Sequence, residues 1–243
     1  MSAEPARSPL PPFAGSDCGG LTVEVHGAEA LLRCSGAMWL PASRTLAVAD
    51  LHFEKGSAYA ARGQMLPPYD TRETLNRLEA EVAALAPAVL VFMGDTFHDS
   101  RAESRIATDD LARVAALASG RTLVWVIGNH DEHAPLDLPG DKVDDLAVDG
   151  LTLRHEPQPG LQPGEAAGHL HPCVKVAGRG RAVRRRAFVT DGLRVILPAF
   201  GAYAGGLNIM DKAFAGLFCA PPLSAALGAN KVHAIGWRSL RPD

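Results

Sequence analysis

The chain has 243 residues, of which 47% are hydrophobic and 21% charged; this suits a protein with a buried core and excludes general disorder. Lys and Arg total 24 against 27 Asp and Glu, a net charge of -3, so there is no global attraction to nucleic acid or membrane and any electrostatic preference is local. No run approaches the roughly 18 apolar residues of a membrane helix, the start MSAEPARSPLPPF lacks the apolar region of a secretory signal, and four cysteines without a C-x2-C pair point to a reduced, cytoplasmic setting rather than a structural zinc site.

Residues 1–20, rich in Pro, Ser, Gly and Ala, are expected to form a flexible tail. Residues 21–243 are expected to form a single domain, because no long polar linker divides them. Short β-prone pieces follow at 21–25, 30–34, 38–40 and 46–49, punctuated by Gly27, Gly36 and Pro41. Residues 70–86 place Leu75, Leu78, Val82 and Leu85 at helical spacing, with Asp70 or Thr71 as a cap and Pro87 as a stop. The continuous apolar run at 88–93 predicts a strand buried on both faces. A second helix is expected over 103–119 and another buried strand over 122–127. This alternation implies a parallel or mixed sheet covered by helices. Beyond it, 143–148, 151–154, 174–177, 187–190 and 193–197 read as short strands, with Asp149-Gly150 and Asp191-Gly192 as hairpin turns. The expected class is α/β, with a second sheet packed on the first and helices flanking the sandwich.

Four polar clusters adjoin predicted strands. Asp50-Leu51-His52 follows TLAVA, Gly94-Asp95 follows VLVFM, and Gly128-Asn129-His130-Asp131 follows LVWVI. Gly168-His169-Leu170-His171 precedes CVKV, and His155 ends LTLR. Ligand sites of open α/β sheets form beyond the carboxyl ends of strands, so the clusters are expected to converge on one crevice. In extended backbone, residues i and i+2 point to the same side. Asp50 and His52 can then share a metal, and His169 and His171 can reach the same space. Carboxylate, amide and imidazole donors suit Mn, Fe or Zn. Asp50, His52, Asp95, Asn129, His155, His169 and His171 make seven donors, too many for one metal and suited to two if one Asp bridges. Two metals about 3.5–4 Å apart serve in-line displacement at phosphorus, with a bridging water acidified to attack. His130, adjacent to Asn129, is assigned to protonate the leaving oxygen or stabilise the transition state, with Asp131 orienting its imidazole.

Taken in order over residues 46–172, these five motifs resemble the calcineurin-like binuclear metallophosphoesterases. The resemblance implies a four-layer αββα sandwich of mixed sheets flanked by helices. It also implies one metal held by Asp50, His52, Asp95 and His171, and a second held by Asp95, Asn129, His155 and His169. A narrower resemblance is to the bacterial ligase-associated DNA damage response endonucleases. It rests on DLHFEKG at 50–56, GDTFHD at 94–99, HEP at 155–157, GHLHP at 168–172 and LPAFGAYAGG at 197–206. It implies a manganese-dependent nuclease acting on single-stranded DNA, with a repair ligase, a helicase and an exonuclease as functional neighbours. Iron, zinc and cobalt also suit the ligands. Ala204 stands where that family is expected to carry a hydroxyl residue.

Residues 175–194 carry Lys175, Arg179, Arg181, Arg184, Arg185, Arg186 and Arg194 against Asp191 alone. This basic run directly follows the H-x-H motif and is expected to position a polyanion through its phosphates, with Arg184, Arg185 and Arg186 as candidate contacts. Tyr203, Phe200 and Phe53 are candidates to stack on unpaired bases. His98 reads as a neighbour of the site rather than a ligand. The expected function is a dimetal phosphodiesterase that cuts single-stranded DNA in repair. The alternative is a small-molecule phosphohydrolase on the same fold, acting on a nucleotide or a lipid precursor.

Overall fold

A computed structural model of the chain describes residues 12–64, 66–129, 138–178 and 181–243. Its first sheet comprises β1 (Phe13–Gly15), β2 (Leu21–Val25), β3 (Ala28–Leu32), β4 (Met38–Leu40), β5 (Thr45–Ala49), β6 (Val89–Met93), β7 (Thr122–Val126) and β8 (Asp141–Val143), in spatial as in chain order. From β1 to β5 the pairing is antiparallel; from β5 to β8 it is parallel. Short turns suffice for the first part, whereas parallel neighbours need crossovers. Helices α1 (Lys55–Ala61) and α2 (Asp70–Leu85) lead from β5 to β6, and α3 (Ala102–Arg105) and α4 (Thr108–Ala116) from β6 to β7.

The second sheet is built from β9 (Asp145–Val148), β10 (Leu151–Arg154), β11 (Glu165–Ala167), β12 (Pro172–Gly178), β13 (Arg181–Thr190), β14 (Val195–Ile196), β15 (Leu207–Asn208), β16 (Leu223–Leu227) and β17 (Val232–Ile235). Its order is β15-β12-β13-β14-β11-β10-β9, with β16 and β17 continuing from β13. Between the sheets lie Val23, Leu40, Ala47, Val91 and Val124 from one side and Leu153, Phe188, Val195 and Leu223 from the other. The opposite face of the first sheet presents Leu46, Phe92 and Trp125 to Leu75, Leu78 and Val114 of the helices. Strands β5, β6 and β7 are thus covered on both faces, as their unbroken apolar runs require. Ile209, Phe214, Leu217 and Leu240 cover the outer face of the second sheet, where the described residues form 3-10 turns at Lys212–Phe214 and Trp237–Ser239. The result is the four-layer sandwich, with short turns in place of α-helices in the fourth layer. No helix among the described residues is long and apolar enough to cross a membrane.

The structure departs from the sequence reading in several elements; the helix expected to be capped by Asp70 or Thr71, for one, has Tyr69 at its N-cap with no side-chain capping bond. Phe13–Gly15, inside the stretch expected to be a flexible tail, pairs with β2 as an edge strand. The helix expected over 103–119 is two helices: Ile106 and Ala107 are extended, Ile106 turns into the core, and Thr108-Asp109-Asp110 starts a new helix whose N-terminal dipole favours acids. The strand expected over 143–148 is cut at Asp144, where the chain passes from the first sheet to the second. Apolar content runs on through the crossing, so the pattern hides it. The Asp149-Gly150 turn has the two left-handed residues, φ 51 and 78, that a tight hairpin between β9 and β10 demands.

Candidate metal centre

Parallel strands β5, β6 and β7 end at Ala49, Met93 and Val126, and polar clusters follow each of them. The second sheet contributes from the facing side: β10 ends one residue before His155, and β11 ends just before Gly168-His169-Leu170-His171. Backbone bonds extend the pairing past the strand ends. Asp50 N donates to Gly94 O at 3.2 Å, His52 N to Asp95 O at 2.9 Å, and Gly168 N to His155 O at 2.9 Å.

Two donor groups form at this rim among the described residues: Asp50, His52 and His171, and Asp95, His155 and His169. In the first, the Nε2 atoms of His52 and His171 stand 3.2 Å apart, and Asp50 Oδ1 lies 3.3 Å from His171 Nε2. In the second, His155 Nε2 lies 3.1 Å from His169 Nδ1, 2.7 Å from Asn129 Oδ1 and 3.4 Å from Asp95 Oδ1. His155 Nδ1 is 3.7 Å from Asp50 Oδ1, so the groups adjoin. Asp50, His52, Asp95 and His155 are buried, His169 and His171 half-buried, and Asn129 exposed. The floor is closed and the mouth is open.

The chemistry of this donor set fits metal ions. A carbonyl only accepts, so the contact of His155 Nδ1 with Met93 O at 3.3 Å places the ring proton on Nδ1. In a neutral ring the Nε2 lone pair would then face a carboxylate, an amide oxygen and a second imidazole nitrogen. Such a cluster of lone pairs is repulsive until a cation stands among them. Two imidazoles on one metal, each at about 2.0–2.1 Å, lie about 3 Å apart; the observed nitrogen separations are 3.1 and 3.2 Å. Asp50, His52 and His171 would hold one ion; Asp95, Asn129, His155 and His169 would hold the other.

The backbone of these residues is strained. Asp50, His52, Asp95, His169 and His171 all lie in the left-handed region, at φ 55, 48, 46, 66 and 46. Each such residue costs roughly 1–3 kcal/mol and persists only where its surroundings hold it. The alternation expected for D-x-H and H-x-H is therefore corrected: the paired side chains meet through two left-handed residues flanking a third, not through an extended strand. Gly94 makes room beside them. A Cβ there would stand 2.3 Å from His155 Nδ1.

The LPAFGAYAGG segment supports the centre from beneath. Phe200 N donates to Ala49 O at 2.7 Å and Gly201 N to Asp50 O at 3.1 Å, and directly after the segment Leu207 N, in β15, donates to His171 O at 3.2 Å. Phe53 and Phe200 are fully buried in the core under the helices. The expectation that they stack on bases is thereby overturned, since no ring face reaches solvent. Tyr203 is half-buried, and its hydroxyl donates to Pro67 O at 2.9 Å.

The arginine run is divided by the period of its strand. Arg184 and Arg186 pair across from Lys175 and Cys173, while Arg185 between them faces the opposite side. Arg186 is half-buried and donates to Ala199 O at 2.8 Å and Gly201 O at 3.0 Å. Arg184 is exposed, donates to Gly206 O at 2.6 Å and pairs with Asp243 at 3.3 Å. Arg185 is exposed and donates to Arg184 O. Arg194, counted with the run, is instead buried against Glu165 at 2.8 Å.

Several residues of the site were missed in the sequence. Along α2, Asp70 accepts from Gly56 N at 2.9 Å, Thr74 accepts from Ala202 N at 3.0 Å, Arg77 donates to Phe200 O at 2.6 Å, and Glu81 pairs with Arg33 at 2.8 Å. The signal was present as polar residues at helical spacing beside the apolar stripe. His98 lies next to the first donor group, its ring 5.7 Å from that of His52. His130 and Asp131 lie outside the described residues.

Residues 43–173 match the family model described as calcineurin-like phosphoesterase. The chain is similar to the Pseudomonas putida nuclease MPE, a crystal structure, at 30% identity and a TM-score of 0.67, over 89% of this chain and 100% of that one. It shares 15% identity, at a TM-score of 0.39, with Yfce, a phosphoesterase from E. coli, over 79% of this chain and 98% of that one. No curated protein matches it. The family match spans every one of the seven candidate ligands and more than half of the chain. The chain belongs to the calcineurin-like phosphoesterases, metal-dependent hydrolases that work with two metal ions.

Proposed function

We propose that this phosphoesterase is a nuclease that cleaves single-stranded DNA in repair. The carrying observation is the pair of adjoining donor groups at an open rim, beneath which lies the LPAFGAYAGG segment. The similarity to a nuclease along nearly the whole chain supports the choice of a nucleic-acid diester. Bound divalent metals, manganese first and iron, zinc or cobalt as alternatives, supply Lewis acidity at phosphorus and an acidified water nucleophile. The chain's own residues organise the rest. Asp50 and Asp95 set a buried negative floor, and Met93 O keeps the His155 lone pair turned forward. Asn129 stands exposed at the rim, where a phosphate oxygen would arrive. His130, its chain neighbour, hands a proton to the leaving oxygen, with Asp131 orienting it. Arg184 and Arg185, exposed on the hairpin that begins directly after His171, contact the phosphates of a strand leaving the site. Tyr203 offers a half-exposed ring to an unpaired base. A repair ligase, a helicase and an exonuclease are the proposed functional neighbours.

Covalently closed single-stranded DNA circles test this reading, because they have no ends. Incubation with Mn2+ is expected to linearise them, and omission of Mn2+ or a His130→Ala substitution is expected to leave them closed. Intact circles under all conditions, with hydrolysis of a small phosphodiester, would place the enzyme among small-molecule phosphohydrolases instead.

A further inference from the structure

Helix α2 and strand β13 approach the 197–206 segment from different parts of the fold, and each sends an arginine to it. Arg77 donates to Phe200 O at 2.6 Å, and its guanidinium lies over the Phe200 ring, 4.9 Å from the centroid. Arg186 donates through Nη1 to Ala199 O at 2.8 Å and Gly201 O at 3.0 Å, with Phe200 O at 3.5 Å. Two guanidinium groups thus converge on three consecutive carbonyls. They do so at an electrostatic cost. Burial lowers the Arg77 pKa to about 10, the neighbouring charge of Arg186 adds to the fall, and Glu73 opposes it only weakly, 4.0 Å away and largely exposed. Burial likewise holds Arg186 below the usual arginine range. Half-buried guanidinium groups that lose water this way are held by the carbonyls they bond.

What they fix is Asp50. Ala199 bridges Ala49 in parallel register, Phe200 N donates to Ala49 O, and Gly201 N donates to Asp50 O. Asp50 is fully buried and left-handed at φ 55, and its carboxylate accepts from His169 N at 2.9 Å while facing His171 and His155. A strained residue with both metal groups within reach depends on a rigid neighbour, and residues 199–201 are that neighbour. A guanidinium is planar, pre-organised and more weakly hydrated than the flexible point charge of an ammonium, so it holds such carbonyls at a smaller cost of ordering and desolvation.

We infer that Arg77 and Arg186 are positioning residues of the metal centre, which lock Ala199–Gly201 and through it aim the Asp50 carboxylate at the two donor groups. The inference rests on the reading of Asp50 as a metal ligand. The test titrates Mn2+ into the metal-free full chain, with free Mn2+ followed by electron paramagnetic resonance and folding followed by circular dichroism. Arg77→Ala and Arg186→Ala are expected to lower Mn2+ affinity about 10-fold, the loss typical when a group supporting a metal ligand is removed. Their Lys counterparts are expected to restore little of it and serve as the readout should an Ala variant not fold. At saturating Mn2+, kcat on DNA is expected to fall with KM unchanged. Wild-type Mn2+ affinity with a raised KM in Arg186→Ala and Arg186→Lys would overturn the inference and make Arg186 a substrate contact. Asp50→Ala separates the two levels. If Asp50→Ala loses Mn2+ and the arginine variants do not, the positioning inference alone fails; if Asp50→Ala binds Mn2+ like the wild type, the metal-centre reading fails and the inference with it.

Discussion

Five of the seven candidate ligands hold a backbone conformation that a side chain normally avoids. Glycine would relieve that strain and remove the ligand, so the strain is retained and the surroundings are built to bear it. At Gly94 the arrangement runs the other way: the position beside the ligand must be glycine. Its φ is 72, and an added Cβ would collide with the His155 side chain, 2.3 Å from ring Nδ1, 2.4 Å from Cγ and 2.6 Å from its Cβ. Gly94→Ala is therefore expected to displace His155 and cut Mn2+ affinity about 10–100-fold, as measured by titration of the metal-free protein, with the far-ultraviolet circular dichroism preserved. Unchanged affinity would mean that the ring does not depend on its place against β6. The identities of the candidate ligands were legible because metal chemistry restricts residue type and strand ends restrict location. Their backbone was not legible. D-x-H reads alike whether two side chains align along a strand or through two left-handed residues, and only the φ values separate the cases.

At the level of elements, the parallel strands were read well because burial on both faces forces an unbroken apolar run, as in β5 and β6. Elements whose work is polar were read poorly. In α2 the apolar stripe is plain in the sequence, while Asp70, Thr74 and Arg77 on the same turns bind the segments next to the centre and Glu81 binds Arg33 beyond β3. Helix α1 lacks an apolar stripe and was not anticipated, and neither was the Ala-rich strand β16. The β12–β13 hairpin shows the same limit. Its basic residues look like one patch in the sequence, but strand alternation and burial sort them. Residues 181–185 are all exposed, whereas Arg186 turns back to the carbonyls beneath the centre. The two classes are expected to differ in salt dependence. Each phosphate contact on a single strand contributes about 0.7 to the slope of log affinity against log salt. Arg184→Ala and Arg185→Ala are each expected to reduce the slope of single-stranded DNA binding by about that amount, whereas Arg186→Ala leaves it unchanged. Fluorescence anisotropy across a salt series, with metal-site cleavage suppressed by omitting Mn2+, reads the difference. Equal slopes for all three variants and the wild type would remove the hairpin from the DNA path.

For the whole molecule, the candidate metal centre draws its donors from both sheets, so the proposed site requires the sheets to keep their relative placement. The apolar interior between them supplies most of that constraint. A buried ion pair adds a local one. Glu165 opens β11, the strand that leads to His169, and stands 2.8 Å from Arg194; the two are 3% and 1% exposed. Arg194 also donates to Leu217 O at 2.9 Å and Gln158 O at 2.8 Å, and Glu165 accepts from Gln158 N at 3.0 Å. The group thus ties the outer layer and the 155–165 loop to the second sheet. Burial pushes the Glu165 carboxyl up and the Arg194 guanidinium down, so desolvation outweighs mutual attraction for both partners. Two consequences follow for urea unfolding. Glu165→Ala strands a buried guanidinium and is expected to cost about 3–5 kcal/mol. At about 2–4 °C per kcal/mol for a chain of this size, the melting temperature falls by roughly 6–20 °C. Replacing both residues by methionine removes the charges together and is expected to cost far less than Glu165→Ala alone. If the double variant is the less stable of the two, the pair and its bonds to Leu217 and Gln158 contribute net stability after all.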